Sequence, residues 1–208
     1  MNDEPSRPSD AFKTLAGPAE GVLKVQGSKF LSFARPVETV EEALAAWHAL
    51  QREFHDATHH CFAYRLQSES GEFRTNDDGE PTGTAGRHIL AAIDHEEMTN
   101  VVVVVVRYFG GTKLGVGGLS RAYAGAAQAA LLAGTPALRY IMASFLLSYP
   151  HGLTSPVMRT IDALGATIVE STYDDTVHLR VAIRASLSKR LTDGLTESSN
   201  GGVVIRAG

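Results

Sequence analysis

Cysteine is nearly absent: Cys61 stands alone among 208 residues, so there is no disulfide framework and a reducing cytoplasm is the expected setting. Long apolar runs are missing too. Six valines, Val101 to Val106, fall far short of the ~20 residues that cross a bilayer as a helix. The first seventeen residues carry Asp3, Glu4 and Asp10 without an apolar stretch, so no secretory signal is expected there. A positive excess is lacking as well. The net charge of −4 excludes a protein that coats nucleic acid through bulk positive charge.

One further absence is local. No Asp or Glu occurs between Met98 and Thr160, where Arg107, Lys113, Arg121, Arg139 and Arg159 fall, whereas residues 1–97 hold 17 of the 23 acids. Two causes fit this pattern: a cationic site for a confined anionic ligand, or a strand and helix that lack acids because they are buried.

What is present is ordinary for a soluble globular protein, with 44% hydrophobic and 20% charged residues. The length allows one large domain or two small ones. Residues 1–17 are polar, with Pro5 and Pro8, and read as a disordered tail. Strands over 22–25 and 30–37 turn at Gln26-Gly27-Ser28. Thr39-Val-Glu-Glu42 fits a capping box, and Ala43, Leu44, Trp47, Leu50 and Phe54 follow at helical spacing. A strand over 60–66, a helix over 85–93, the valine strand and a helix over 119–133 complete a first domain, 18–135. Gly134-Thr-Pro136 marks the boundary.

The second domain, 137–208, reads as a strand over 138–149, a helix opened by Ser155-Pro156, strands over 166–172 and 177–183, a helix over 187–195 and a strand over 203–206. This β-α-β-β-α-β order is ferredoxin-like, and the whole is of the α+β class. The expected cores are Trp47, Leu50, Phe54 and the valines in the first domain. In the second they are Leu146, Ile161, Leu164, Ile168 and Val181.

Residues 107–125 hold six of the 20 glycines and three basic side chains, reading as strand, glycine loop, helix. Such a loop brings backbone N–H groups to an anion, with a helix N-terminus behind them. The candidate anion or nucleic-acid contacts are Arg107, Gly110, Gly111, Lys113, Gly117, Gly118 and Arg121. The segment lacks the Gly-Lys-Ser/Thr ending of a P-loop, and Ser120 stands where a dinucleotide fingerprint requires a third glycine. The plain alternative is that these glycines serve only tight strand–helix packing.

A second glycine loop, residues 76–86, carries Asp77, Asp78 and Glu80. These carboxylates suit Mg²⁺ at the acidic loop, general-base chemistry, or pairing with Arg74, Arg107 or Lys113. His55, His59 and His60 lack an accompanying Cys-x-x-Cys or His-Glu-x-x-His, which favours a structural or surface role over zinc.

Several segments together resemble the IMPACT family, in its bacterial YigZ-like branch: Gly27-Ser28-Lys29-Phe30, Ala57 to Tyr64, Asp77 to Gly86, and the long run from Val106 to Tyr123. The chain departs from the family at Arg87-His88, usually a basic residue and proline, and at Thr112, usually aliphatic. The resemblance implies a first domain like the second domain of a small-subunit ribosomal protein, with two helices on a four-stranded sheet. It implies a second domain similar to those at the C-terminal end of elongation factor G. It also implies a link to translational control, which the family's eukaryotic members exert through a kinase-activating partner.

The expected function is therefore a nucleic-acid- or ribosome-associated regulator of translation, without catalytic residues, that takes phosphates on the 107–121 loop. RNA or the ribosome, and a translation-related protein, are the expected partners; no membrane is. The alternatives are a metal-dependent enzyme on a phosphorylated small molecule and a protein-interaction module. Tyr108, Phe109 and Tyr123 would stack on bases where exposed, with core packing the expectation for at least two of them.

Overall fold

β-Branched side chains in unbroken succession suit a strand covered on both faces, and the valine run forms one, β6 (Val101–Tyr108). The computed structural model describes residues 10–67 and 71–208. Around β6 it arranges β2 (Ala19–Val25), β3 (Ser28–Pro36), β4 (His59–Arg65) and β5 (Phe73–Asn76) as an antiparallel sheet of order β2-β3-β6-β4-β5. Val101, Val103 and Val105 face one core, shared with α2 (Gly86–His95) and α3 (Gly115–Ala133). Val102, Val104 and Val106 face the other, shared with α1 (Val40–Glu53). Each valine is at most 1% exposed.

The first sheet thus has five strands and three helices on its two faces, not the four strands and two helices that the resemblance implied. The additional strand is short and exposed along most of its length, so it carries no alternation by which a sequence would reveal it. At α1, Thr39 Oγ1 accepts from Glu42 N (3.2 Å). The return bond comes from Glu38 N rather than Thr39 N (2.7 Å to Glu42 Oε2).

The chain separates into two units, Phe12–Arg139 and Tyr140–Gly208, the latter joined by Asp10 and Ala11. The division falls a few residues beyond the expected one. Part of the expected tail is ordered: β1 (Ala11–Leu15) pairs with β7 (Pro136–Tyr140), and Leu15 is 1% exposed in the first core. Asp10 accepts from Arg184 Nη2 (2.9 Å), Ser186 Oγ (2.6 Å) and Ser186 N (3.1 Å). These partners hold its carboxyl well below the usual range, the Arg184 and Ser186 side chains foremost. They lie some 170 residues away, outside any local pattern. Residues 1–9 of the expected tail lie outside the described residues.

In the second unit, β8 (Met142–Tyr149), α4 (Thr154–Ala163), β9 (Thr167–Tyr173), β10 (Val177–Arg184), α5 (Ser188–Ser198) and β11 (Val204–Ala207) follow in that order. The sheet order is β11-β8-β10-β9, all pairs antiparallel. Both helices bury their apolar stripes (Val157 and Ile161; Leu191 and Leu195) against Val177, Leu179, Val181 and Ile183. With helices gathered on one face of an antiparallel sheet, the unit is of the α+β class, as is the first.

The expected strand over 138–149 is broken at Ile141 into β7 and β8. Leu146, expected in the core, is 37% exposed, because the register turns Leu147 and Tyr149 inward instead. Ser155-Pro156 does not cap α4. A 3₁₀ turn, His151–Leu153, leads into the helix at Thr154. Pro156 is tolerated within the first turn, where its missing N–H would lack a partner anyway.

Candidate functional site

The first sheet gathers its loops at one end. Registers Lys29↔Tyr108, His59↔Arg107 and Phe62↔Asn76 bring the starts of β3 and β4 beside the ends of β6 and β5. There the β2–β3 turn and the loop after β6 touch backbone to backbone: a Cβ on Gly110 would lie 1.9 Å from the Gly27 carbonyl carbon. Gly110 N donates to Ser28 Oγ (3.1 Å), Phe109 N to Thr58 Oγ1 (3.1 Å) and Thr58 N to Arg107 O (2.8 Å). The loop leaving β6 is therefore tied to two neighbours before it reaches α3.

Arg107 does not serve as a surface cation. It continues the odd-numbered face of the valine strand into the core and is 5% exposed. Its Nη1 donates to Glu80 Oε1 (2.5 Å), which also accepts from Tyr123 OH (2.7 Å). The guanidinium lies 5.4 Å from the Phe30 ring and 5.5 Å from that of Phe109. His59 Nε2 approaches the same carboxylate at 3.9 Å. The structure thus corrects the expectation of Arg107 as a phosphate contact: a buried guanidinium needs a carboxylate, and Glu80 is that partner.

The other two acids serve the fold. Asp77 accepts from Gly83 N (2.6 Å), Ala85 N (3.0 Å) and Gly86 N (2.8 Å), closing its own loop and capping α2 from eight residues away. Burial raises its pKa, but those backbone N–H groups outweigh it and hold the carboxyl below its ordinary value. Asp78 Oδ2 accepts from His60 N (2.6 Å), and its carbonyl faces His59 Nδ1 (2.8 Å). Among the described residues, no group of three His, Cys, Asp or Glu side chains is placed to share a metal ion. His60 Nε2 meets Phe54 O (3.0 Å), and His55 is exposed.

Cys61, fully buried, donates to Asp77 O (3.0 Å). Burial pushes its thiol far above the usual range, so it is no ready nucleophile. Burial, with Cys61 and Glu80 close by, does the same to the Tyr123 hydroxyl.

The glycine run behaves differently from the acidic loop. α3 begins at Gly115, a turn earlier than expected, because a glycine-rich first turn reads as loop. Its N-cap position is Leu114, no side chain caps it, and its first turn holds no acid. Gly111 (φ +86°) and Gly115 (φ +68°) adopt left-handed backbone with open space around them. Lys113 and Arg121 are exposed and, among the described residues, have no carboxylate partner. Phe109 is 47% exposed beside them. Tyr123 is fully buried, and Tyr108, half-buried, donates to Asp56 Oδ1 (2.8 Å).

Two of the three expected basic contacts, Lys113 and Arg121, thus flank an open helix start, while Arg107 belongs to the buried network. Sequence reasoning missed Ser28, Thr58, His59 and Tyr123 as the supports of this end. Strand parity was a usable signal: Arg107, His59 and Phe30 form one cross-strand row on the face of Val101, Val103 and Val105.

Comparison with known proteins bears on the whole chain. The Impact N-terminal domain matches residues 26–131 and a domain of unknown function, DUF1949, matches residues 147–201. An IMPACT family member from Haemophilus influenzae is 31% identical over 88% of this chain and 90% of its own. The IMPACT family member YigZ of Escherichia coli is 31% identical over 92% and 95%. A solved crystal structure of a hypothetical protein superposes with a TM-score of 0.74 at 30% identity, covering 96% of this chain and 98% of that one.

Proposed function

The chain belongs to the IMPACT family, and from that premise we propose that it is a nucleic-acid- or ribosome-associated regulator of translation. It takes RNA phosphates at the glycine-rich start of α3. The observation that carries this reading is the contrast between two helix starts in one unit. Asp77 already occupies that of α2, whereas that of α3 is uncapped, acid-free and flanked by Lys113 and Arg121. N–H groups that no side chain caps, the positive end of a helix dipole and two cations without a carboxylate partner among the described residues together favour an anion. Phe109 adds an exposed ring for stacking on a base.

The enzyme alternative draws less support, because the carboxylates it needs are engaged by Arg107, Tyr123 and the loop backbone. Fluorescence anisotropy with a labelled single-stranded RNA tests the proposal. Two phosphate contacts give a slope of log K against log salt of about −1.4, and Lys113→Ala about half of that. The loss should be uniform across sequences, since phosphate contacts position without reading bases. Binding that ignores salt, or that survives Lys113→Ala with Arg121→Ala, would transfer the assignment to a protein-interaction module.

A further inference from the structure

The second unit's sheet is covered by α4 and α5 on one face, and no other described helix of this unit covers the opposite one. Register fixes what that face presents. Arg206 stands opposite Leu146, Leu146 opposite Arg180, and Arg180 opposite Glu170, one row running across all four strands. The adjacent row sets Val204 against Ser148 and His178 against Thr172. These two rows line a groove of about 480 Å³, within the size range of small-molecule sites.

We propose that this groove binds a small organic anion, a phosphate or carboxylate carried on an apolar body. Leu146 and Val204 are 37% and 54% exposed on its floor, an apolar strip that a hydrocarbon portion covers. Arg206 has no carboxylate partner among the described residues. Arg180 holds Glu170 through one contact of 3.3 Å between exposed side chains, a pair that an incoming anion displaces at little cost. His178 Nε2 rests on Thr176 Oγ1 (2.8 Å) and lies 3.6 Å from Asp174 Oδ1, with the hydroxyls of Ser148 and Thr172 in its row. Two guanidiniums bracketing an aliphatic floor match an anionic head on an apolar chain. No Phe, Tyr or Trp is among the residues lining the groove, and His178, its one aromatic ring, is engaged by Thr176, which disfavours base stacking and so a nucleic-acid strand. The site is independent of the α3 start and of the function proposed for it.

The test is amide NMR on the full chain, titrated separately with n-hexyl phosphate, inorganic phosphate, hexylammonium and octauridylate. Hexyl phosphate should move amides of β8, β10 and β11 with a Kd of about 1–10 mM. Inorganic phosphate should move the same amides more weakly, and hexylammonium should not move them. Arg206→Ala, at an exposed position, should weaken hexyl phosphate about tenfold. Leu146→Ser should weaken hexyl phosphate but not inorganic phosphate. The proposal is overturned if hexyl phosphate leaves these strands unmoved or hexylammonium binds equally well. It is equally overturned if octauridylate shifts them more than hexyl phosphate does at equal phosphate concentration.

Discussion

Replacing Glu80 by Gln keeps the shape of the side chain and removes the carboxylate charge that meets Arg107 in the core. Arg107 Nη1 then donates to an amide oxygen, Nη2 retains the long contact to Ser28 Oγ (3.4 Å), and Nε already lacks a hydrogen-bond partner among the described residues. Removing one partner from a buried pair costs about 3–5 kcal/mol. Because Gln still accepts from Arg107 or Tyr123, the lower end, about 3 kcal/mol, is expected. The assay is urea denaturation followed by tryptophan fluorescence. Trp47 is the sole tryptophan and sits in the unit that holds the pair, packed 4.8 Å from Phe62 with Nε1 bonded to His60 O. Its emission therefore follows that unit's unfolding and not that of the second.

With m near 2 kcal/mol/M, the midpoint should fall by about 1–2 M urea with m unchanged. Arg107→Met should cost a similar amount. The double variant should cost little more than either single one, since both charges then leave the core together. Losses below about 1 kcal/mol, or losses that simply add, would refute the reasoning: water would then be reaching the pair, and it would behave as a surface bridge.

Three further outcomes follow from the same end of the sheet. Asp77 has a folded pKa below its unfolded value, so its stabilisation is fully present above about pH 4 and is lost as pH falls through the folded value; Asp77→Asn should flatten that acid limb in pH-dependent urea melts. Gly110→Ala should destabilise by about 3 kcal/mol or more, because its methyl meets the Gly27 backbone, which cannot yield as a flexible side chain does. Gly111→Ala, with open space but φ of +86°, should cost about 1–2 kcal/mol from backbone strain alone; equal or reversed losses in thermal melts would contradict the close approach.

The fold was legible wherever one periodicity dominated. The valine run announced a buried strand, Thr39 and Glu42 announced the start of α1, and residues 177–183 read as the strand that became β10. Legibility failed where tertiary contact overrode local character. Asp10 reads as tail because its partners, Arg184 and Ser186, lie at the far end of the chain. β5 has too little burial to leave a pattern. The first turn of α3 is written in residues of poor helix propensity.

The candidate site was half legible, for a reason that sharpens its chemistry. Counting charges placed Arg107, Lys113 and Arg121 in one class, since all three lie in an acid-free, glycine-rich stretch. Parity along β6 separates them. Arg107 falls on the face of Val101, Val103 and Val105 and must enter the core. A core guanidinium requires an acid, and the second glycine loop supplies Glu80. That pairing explains why an acidic loop and a basic loop share one end of the sheet. One acid neutralises the buried arginine, a second caps α2 and closes its own loop, and a third holds the start of β4. Once these internal demands are met, Lys113 and Arg121 still face solvent beside an uncapped helix. The anionic partner proposed for this unit would therefore be recognised by what the ion pairs and caps leave over, and not by the total of basic residues that the stretch contains.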